Sequence, residues 1–393
     1  MAMTSAARWG LTAGCLVLLG GACGGAVVWQ AHTFDAVFAD LSKKLSDESH
    51  RQGVLLIAEE TGRRWNARDI AVRFHADNVD LRWSGQATFG LGTKAVLTLD
   101  TDYGTAAMFE SAGISGYQDR LTLRSGWGLS DAEWSWEAVP FRVLNHETVL
   151  ADVGAMKIDG VTDMTTVRFH LTGVTIADNG LRIVSGPVKA TFTAQEDNLR
   201  NSSVKWTLDS LKMQGNGVNA ALGLSSLSVE TTVTGKKEEE DDVLRLDYAM
   251  NLGSLLEDGE RLWDAWNLRV EVHEVPEVLF NALADMTPEN GFGTLVYLQY
   301  AFHREGLEIR IPVNEWCLGD AKASVTGQLV DDGEGLGRFE VVIDKAFVDK
   351  APQLRPDTDA WLREGLLLND KDRLLGHGYI DPQARFYLNG KPL

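Results

Sequence analysis

The sequence predicts an α+β fold dominated by antiparallel β-sheet, arranged as extended curved sheet with a few helices, behind an N-terminal transmembrane helix. Three observations predict it. Short segments alternate apolar and polar residues with a period of two, the pattern of a strand with one wet face. Turn dipeptides separate those segments. An uncharged stretch runs from Trp9 to Trp29, close to the ~20 residues a helix needs to cross a bilayer.

The N-terminal stretch comes first in the chain. Arg8 precedes it and tryptophans bracket it, as interfacial anchors do. This predicts a cytoplasmic tail over 1–8, a signal anchor over 9–29 and a large body outside the cytoplasm. A cleaved signal peptide with its apolar stretch at Cys15–Leu19 is the second reading. Lipidation at Cys23 is the third, and Gly20 stands where such sites carry an aliphatic residue.

Phe34, Val37, Phe38, Leu41 and Leu45 follow helical spacing, so 30–62 reads as a helical stalk or a cap on the strand-rich body. Within it, Val54, Leu55 and Ile57 fit a second helical stretch or a first strand. The body then reads as two β-rich halves, 63–235 and 243–393, joined by the acidic loop 236–242 (KKEEEDD). Strand patterns are clear in VRFHL (Val167–Leu171), VKWTLD (from Val204), LRLDY (from Leu244), LRVEVHEV (Leu268–Val275) and LEIRIP (from Leu307). Asn179-Gly180, Asn290-Gly291, Asp332-Gly333 and Asn389-Gly390 supply turn chemistry. One-sided alternation argues for antiparallel sheet, because buried parallel strands read as continuous apolar runs. Two helices interrupt the second half. One lies near 276–286, opened by Pro276, and one near 358–368, with Thr358 as its cap.

Composition narrows the function. The chain has 393 residues, 44% hydrophobic and 24% charged, and a formal charge of −19. So acidic a surface repels nucleic acid, and no nucleic-acid partner is expected. Cys15 and Cys23 lie in the N-terminal stretch, leaving Cys317 alone in the body, so a disulfide scaffold and a multi-cysteine zinc site are excluded. The eight histidines show no metal-pair spacing, and no cofactor is expected. GNGVNA (Gly215–Ala220) fits a loose dinucleotide pattern, but LSSLSVETTV after it alternates like a strand, where phosphate binding needs a helix. Asp100 and Asp102 form an Asp-x-Asp pair that more often marks a strand end than a cation or acid/base site.

The tryptophans stand out, 12 in all. Trp134 and Trp136 share a strand face, with Trp127 close by, and Trp263 and Trp266 flank the start of LRVEVHEV. The residues expected to offer an apolar groove are Trp134, Trp136, Trp206, Leu268, Val270, Val272, Leu307, Ile309 and Ile311.

The anchor, the helical stretch after it, the strand-rich body and the tail RFYLNGKPL (Arg385–Leu393) resemble the YdgA-like family of bacterial envelope proteins of unknown function. Tyr300–Leu329 is also similar to AsmA-like envelope proteins, in which long sheets curve around an apolar groove. QAHTFDAVF departs from the Tyr-x-Gly-Lys that the YdgA-like family often shows after its anchor. The resemblance implies a single-pass inner-membrane protein with its body in the periplasm, and supplies no catalytic residues. Three functions are expected in descending order. The first is a non-enzymatic envelope protein offering an apolar groove to lipid or a hydrophobic partner. The second is an assembly factor working through protein contacts, as a homodimer or with an envelope partner. The third is a glycan hydrolase using paired acids such as Asp100 and Asp102.

Overall fold

A computed structural model describes residues 27–393, apart from 41, 44–45, 47–54, 77–78, 91, 128–131, 146–147, 162–164, 179, 196–197, 216–220, 238–241, 285–300, 304–305 and 334. The expected anchor lies outside these residues except for its last three. No described helix is long and apolar enough to cross a membrane. The chain divides into two compact units, 1–171 and 172–393. Both are mostly antiparallel β-sheet.

Unit 1 opens with helix α1 (27–40). Strands β1 (Leu55–Arg64), β2 (Ala67–Ala76), β3 (Val79–Phe89) and β4 (Thr93–Leu99) follow, then helix α2 (Tyr103–Ser111). Next come β5 (Ile114–Ser115), β6 (Asp119–Ser125), β7 (Glu133–Ala138), β8 (Phe141–Asn145), β9 (Thr148–Val153), β10 (Met156–Val161) and β11 (Thr166–Leu171). The main ladder runs β1-β2-β3-β4-β6-β7-β10-β11, and a short ladder runs β5-β8-β9.

Cross-strand partners share a face, and Ile70, Gly85, Leu97, Leu121, Trp136, Ile158 and Phe169 form one row across the main ladder. Helix α1 covers one end of that apolar face with Ala31 and Phe34, which pack with Ile70, Ala87, Phe89, Ala95 and Leu97. Polar contacts fix it there. Buried Gln30 donates to Thr93 Oγ1 at 2.9 Å, and Arg68 donates to both Asp35 oxygens at 2.9 and 3.0 Å. The expected stalk is therefore a cap, and 30–62 is not all helical. Leu55–Arg64 forms β1, because Leu56 and Ala58 complete the apolar face opposite Phe74 and Val72.

Unit 2 contains β12 (Val174–Asp178), β13 (Leu181–Ser185), β14 (Val188–Gln195), β15 (Asn198–Leu208), β16 (Leu211–Gly215), β17 (Leu222–Leu224) and β18 (Leu227–Lys237). It continues with β19 (Asp242–Leu252), β20 (Leu255–Glu257), β21 (Glu260–Trp263), β22 (Ala265–Pro276) and α3 (Glu277–Ala284). Strands β23 (Glu308–Leu318), β24 (Ala321–Leu329) and β25 (Gly337–Asp344) precede α4 (Lys345–Lys350) and α5 (Arg355–Glu364). The chain closes with β26 (Leu368–Asp370), β27 (Arg373–Ile380), β28 (Phe386–Leu388) and β29 (Lys391–Pro392).

The long ladder of this unit runs β14-β15-β18-β19-β22-β23-β24-β25-β27. Strands β26 and β28 share the far edge of β27, and β29 pairs with β28. A second ladder runs β12-β13-β16-β17-β20-β21. All five strands expected from alternation are present, VRFHL in unit 1 and the other four here. KKEEEDD is no boundary. Its described residues belong to paired strands of one unit, β18 and β19, with Lys237 opposite Asp242.

Helices cover parts of the apolar face of the long ladder. Leu279 of α3, with no exposed surface, packs on Val233, Leu244, Val275, Ala301 and Leu307, a burial worth about 2–3 kcal/mol for its side chain. Val275 reaches that face through a bulge: Leu246 faces Val272 but Leu244 faces Val275, and Glu274 takes φ 54° between them. Helices α4 and α5 close the other end, where Phe347 packs with Leu318 and Ala321, and Val348 and the following Leu366 and Leu367 pack with Leu374 and Leu388. Thr358 is not the cap of α5. The helix starts earlier, at Arg355-Pro356, so Thr358 is buried inside its first turns and donates to Leu354 O at 2.7 Å. The helix ends at Gly365, φ 71°, rather than at Leu368.

Candidate functional site

The two ladders of unit 2 are halves of the same strands. The chain passes from one to the other through Gly186-Pro187, Asp209-Ser210, Ser225-Ser226, Gly253-Ser254 and Asp264. Backbone bonding continues through these joints. Gly186 N donates to Ser210 O at 2.8 Å, Asp209 N to Pro187 O at 3.0 Å, and Gly253 N to Ser226 O at 2.8 Å. The joints therefore line up as a crease, and glycine suits it sterically. A Cβ on Gly253 would stand 2.3 and 2.5 Å from Ser225 and Ser226 Oγ, and one on Gly186 would stand 2.7 Å from Ser210 Oγ.

Apolar residues flank the crease at a fixed spacing of three: Leu208 and Leu211, Leu224 and Leu227, Leu252 and Leu255, Trp263 and Trp266. Register turns them into two rows. Val188, Leu208, Leu227, Leu252, Trp266 and Trp316 are successive cross-strand partners on the long ladder. Ser185, Leu211, Leu224, Leu255 and Trp263 are partners on the second ladder. The first row is about 24 Å long at ~4.8 Å per strand. Trp266 and Trp316 stack with ring centres 5.7 Å apart, and Trp266 Nε1 donates to Asn314 Oδ1 at 2.9 Å.

Behind the first row stand Ala190, Trp206, Val229, Met250 and Leu268, then Phe192, Val204, Thr231, Tyr248 and Val270. The face between the α3 cover and the α4–α5 cover is half-buried almost throughout, and Val204 is 41% exposed. The opposite face is polar. Arg245 contacts Asp247 at 2.9 Å and Glu271 at 3.2 Å, Arg269 contacts Glu271 at 3.1 Å, and His273 contacts Glu271 at 3.3 Å.

The structure brings Trp206, Leu268, Val270, Val272 and Ile309 onto this one apolar face, with Ile309 opposite Val272. Ile311 continues β23 opposite Gly327. Leu307 is not available to a ligand: it is 1% exposed, in the core under α3. Trp134 and Trp136 belong to unit 1, where both are half-buried. Trp134 donates to Val161 O at 3.1 Å and lies over Gly160.

Trp136 joins a second arrangement, which no periodicity announces. Asp119 is 6% exposed on the apolar face of unit 1. Trp83 Nε1 donates to both of its oxygens at 2.9 Å, Trp136 Nε1 to Oδ2 at 2.9 Å, and the Tyr117 hydroxyl to Oδ2 at 3.0 Å. Burial, and then the Asp119 charge, push the Tyr117 phenol well above its usual range, so it stays a donor.

The other sequence candidates have structural partners. Asp102 caps α2, accepting from Thr105 N at 2.8 Å, and Asp100 accepts from Ser84 Oγ and lies 3.6 Å from Arg82. Of GNGVNA, residues 216–220 lie outside the described residues, and the next described element is strand β17. Among the described residues no group of three or more metal-ligating side chains converges. Cys317 sits half-buried opposite Ala265 and Lys322. Burial, then Glu315, raise its thiol pKa, so less thiolate is present at any given pH. In a Cys15→Ser, Cys23→Ser background, maleimide labelling of Cys317 is expected to run at least tenfold slower at pH 7.5 than after unfolding in urea.

No family model, curated protein or solved structure matches this chain.

Proposed function

We propose that this protein is a membrane-anchored envelope protein without a catalytic role, and that the creased sheet of unit 2 is a gutter for the acyl chain of a lipid. The stretch 9–29 would be its single inner-membrane span, with the body in the periplasm. One observation carries the ligand reading: two apolar rows run without a polar side chain larger than serine along both sides of the crease, half-buried, and a described helix meets them only at Trp316, where the first row ends against Phe347 and Ala351. Contiguous apolar surface that a protein leaves uncovered marks a binding face. The uncovered part of the first row, Val188 to Trp266, is about 19 Å long and exceeds the ~15 Å depth of one bilayer leaflet, so a membrane acyl chain fits along it. A ligand held by methylene burial needs no charged partner, which agrees with a gutter lined by Leu, Met, Trp and Val.

Uptake of a fluorescent fatty-acid probe by the purified full chain tests this reading. Energy transfer from the tryptophans to the probe should saturate near one probe per chain, and a membrane phospholipid should displace it. A probe that gives no saturable transfer with folded protein contradicts it.

A further inference from the structure

Several loops of unit 1 meet at one rim of its main sheet. Trp65 stands in the β1–β2 turn, whose Asn66 O accepts from Phe89 N at 2.9 Å. Phe89 closes β3 opposite Thr93, Thr93 lies opposite Ser125, and Trp127 follows two residues after Ser125. The N-terminal end of α1 arrives at the same rim, because Gln30 donates to Thr93 Oγ1 and, at 3.2 Å, to Gly126 O. Trp29 stacks on Trp127, ring centres 4.9 Å apart and planes at 16°.

These large side chains are left in the open. Trp65 is 68% exposed, Trp127 47%, Trp29 46% and Val28 46%. Clustered exposed indoles mark an interaction surface, and an apolar ring with one N–H suits the headgroup layer of a bilayer. Charge agrees. Lys94 and Arg124 are direct cross-strand neighbours one residue in from the rim, both exposed. On their other sides Arg124 has Glu133 and Lys94 has Thr88 as direct cross-strand partners. Like charges placed opposite each other cost stability, and these two stand together, with Glu133 beyond Arg124, in a chain of net charge −19. The uncharged stretch from Trp9 to Trp29 also enters the fold here. Its last residue is part of the stack, and the next, Gln30, is fully buried, so no spacer separates the stretch from the sheet.

We infer that this rim docks on a phospholipid bilayer surface. Trp29, Trp65 and Trp127 enter the interfacial layer, and Lys94 and Arg124 face lipid phosphates. Unit 1 then sits on the membrane in a fixed orientation instead of hanging from a tether. This inference rests on reading 9–29 as a membrane anchor.

The test uses the full chain, carrying Cys15→Ser, Cys23→Ser and Cys317→Ser, reconstituted in vesicles of phosphatidylethanolamine and phosphatidylglycerol with brominated acyl chains. A polarity-sensitive fluorophore is attached through Trp65→Cys or, as the control, through Ile57→Cys. Ile57 is exposed and lies about 25 Å further along β1. Docking predicts a blue-shifted emission at position 65 and bromine quenching at least threefold stronger there than at position 57. Equal, weak quenching at both positions in protein that floats with the vesicles overturns the docking and leaves the anchor standing. Protein that stays folded but does not float with the vesicles overturns the anchor, and the docking with it.

Discussion

Replacing Asp119 by alanine is expected to lower the stability of unit 1 by about 2–4 kcal/mol, since each buried donor left without an acceptor costs about 1–3 kcal/mol and the three losses do not add fully. Two indole N–H groups and one phenol converge on this carboxylate, and among the described residues no other acceptor bonds any of the three. Water entering the vacated space recovers part of the loss, which is why the figure stays below the simple sum. Asp119→Asn keeps one acceptor oxygen and should lose roughly half as much. Urea denaturation followed by tryptophan fluorescence measures both, because Trp83 and Trp136 report on the same cluster. A shift in the alanine variant of less than about 0.5 kcal/mol would show that the cluster does not hold the sheet together.

Placing one charge on each side of the crease is expected to abolish ligand capture without unfolding unit 2. Leu208 and Leu255 serve this purpose. They lie on different rows, are not cross-strand partners, and are both half-buried. A carboxylate on either row displaces the two or three methylenes that would pack there, about 2 kcal/mol at ~0.8 kcal/mol each. That corresponds to roughly 30-fold weaker binding. If both rows line one gutter, Leu208→Glu and Leu255→Glu each show this loss alone. If only one row meets the ligand, one variant binds like the wild type. Titration with the fatty-acid probe separates these outcomes, and thermal melting shows whether each variant remains folded.

Much of this architecture can be read from residue order, and the parts that cannot have identifiable reasons. Strands such as β15, β19, β22 and β23 announce themselves because one face is wet and the other is not, and a period of two records that directly. Helix α3 is legible from Pro276 and an apolar run, and α1 from the spacing of Phe34, Val37 and Phe38. Periodicity alone does not reveal the crease, although its mark is present. Leu-x-x-Leu at 208, 224 and 252 and Trp-x-x-Trp at 263 are repeated shifts of phase between alternating segments. Judged one segment at a time, such a shift reads as a strand end. Only register shows that the shifts align.

Leu307 reads as groove lining because its strand alternates correctly. Its burial is set by α3, a contact distant in sequence. Thr358 has the chemistry of a cap, but Pro356 starts the helix sooner. Asp119 carries no signal at all, being one acid among 56, with its indole donors 36 and 17 residues away. The unit division at 171 is hidden for a similar reason. Chain composition does not change there, whereas the conspicuous run Lys236–Asp242 begins and ends in paired strands of a single unit.

The most direct measurement is native mass spectrometry of the full chain, extracted gently from a bacterial envelope, with parallel lipid analysis of the same sample. The gutter predicts wild-type protein carrying about one acyl lipid per chain, and the Leu208→Glu, Leu255→Glu double variant running at its bare mass. Folded wild-type protein at its bare mass, with no lipid in the extract above the level of the double variant, would contradict it.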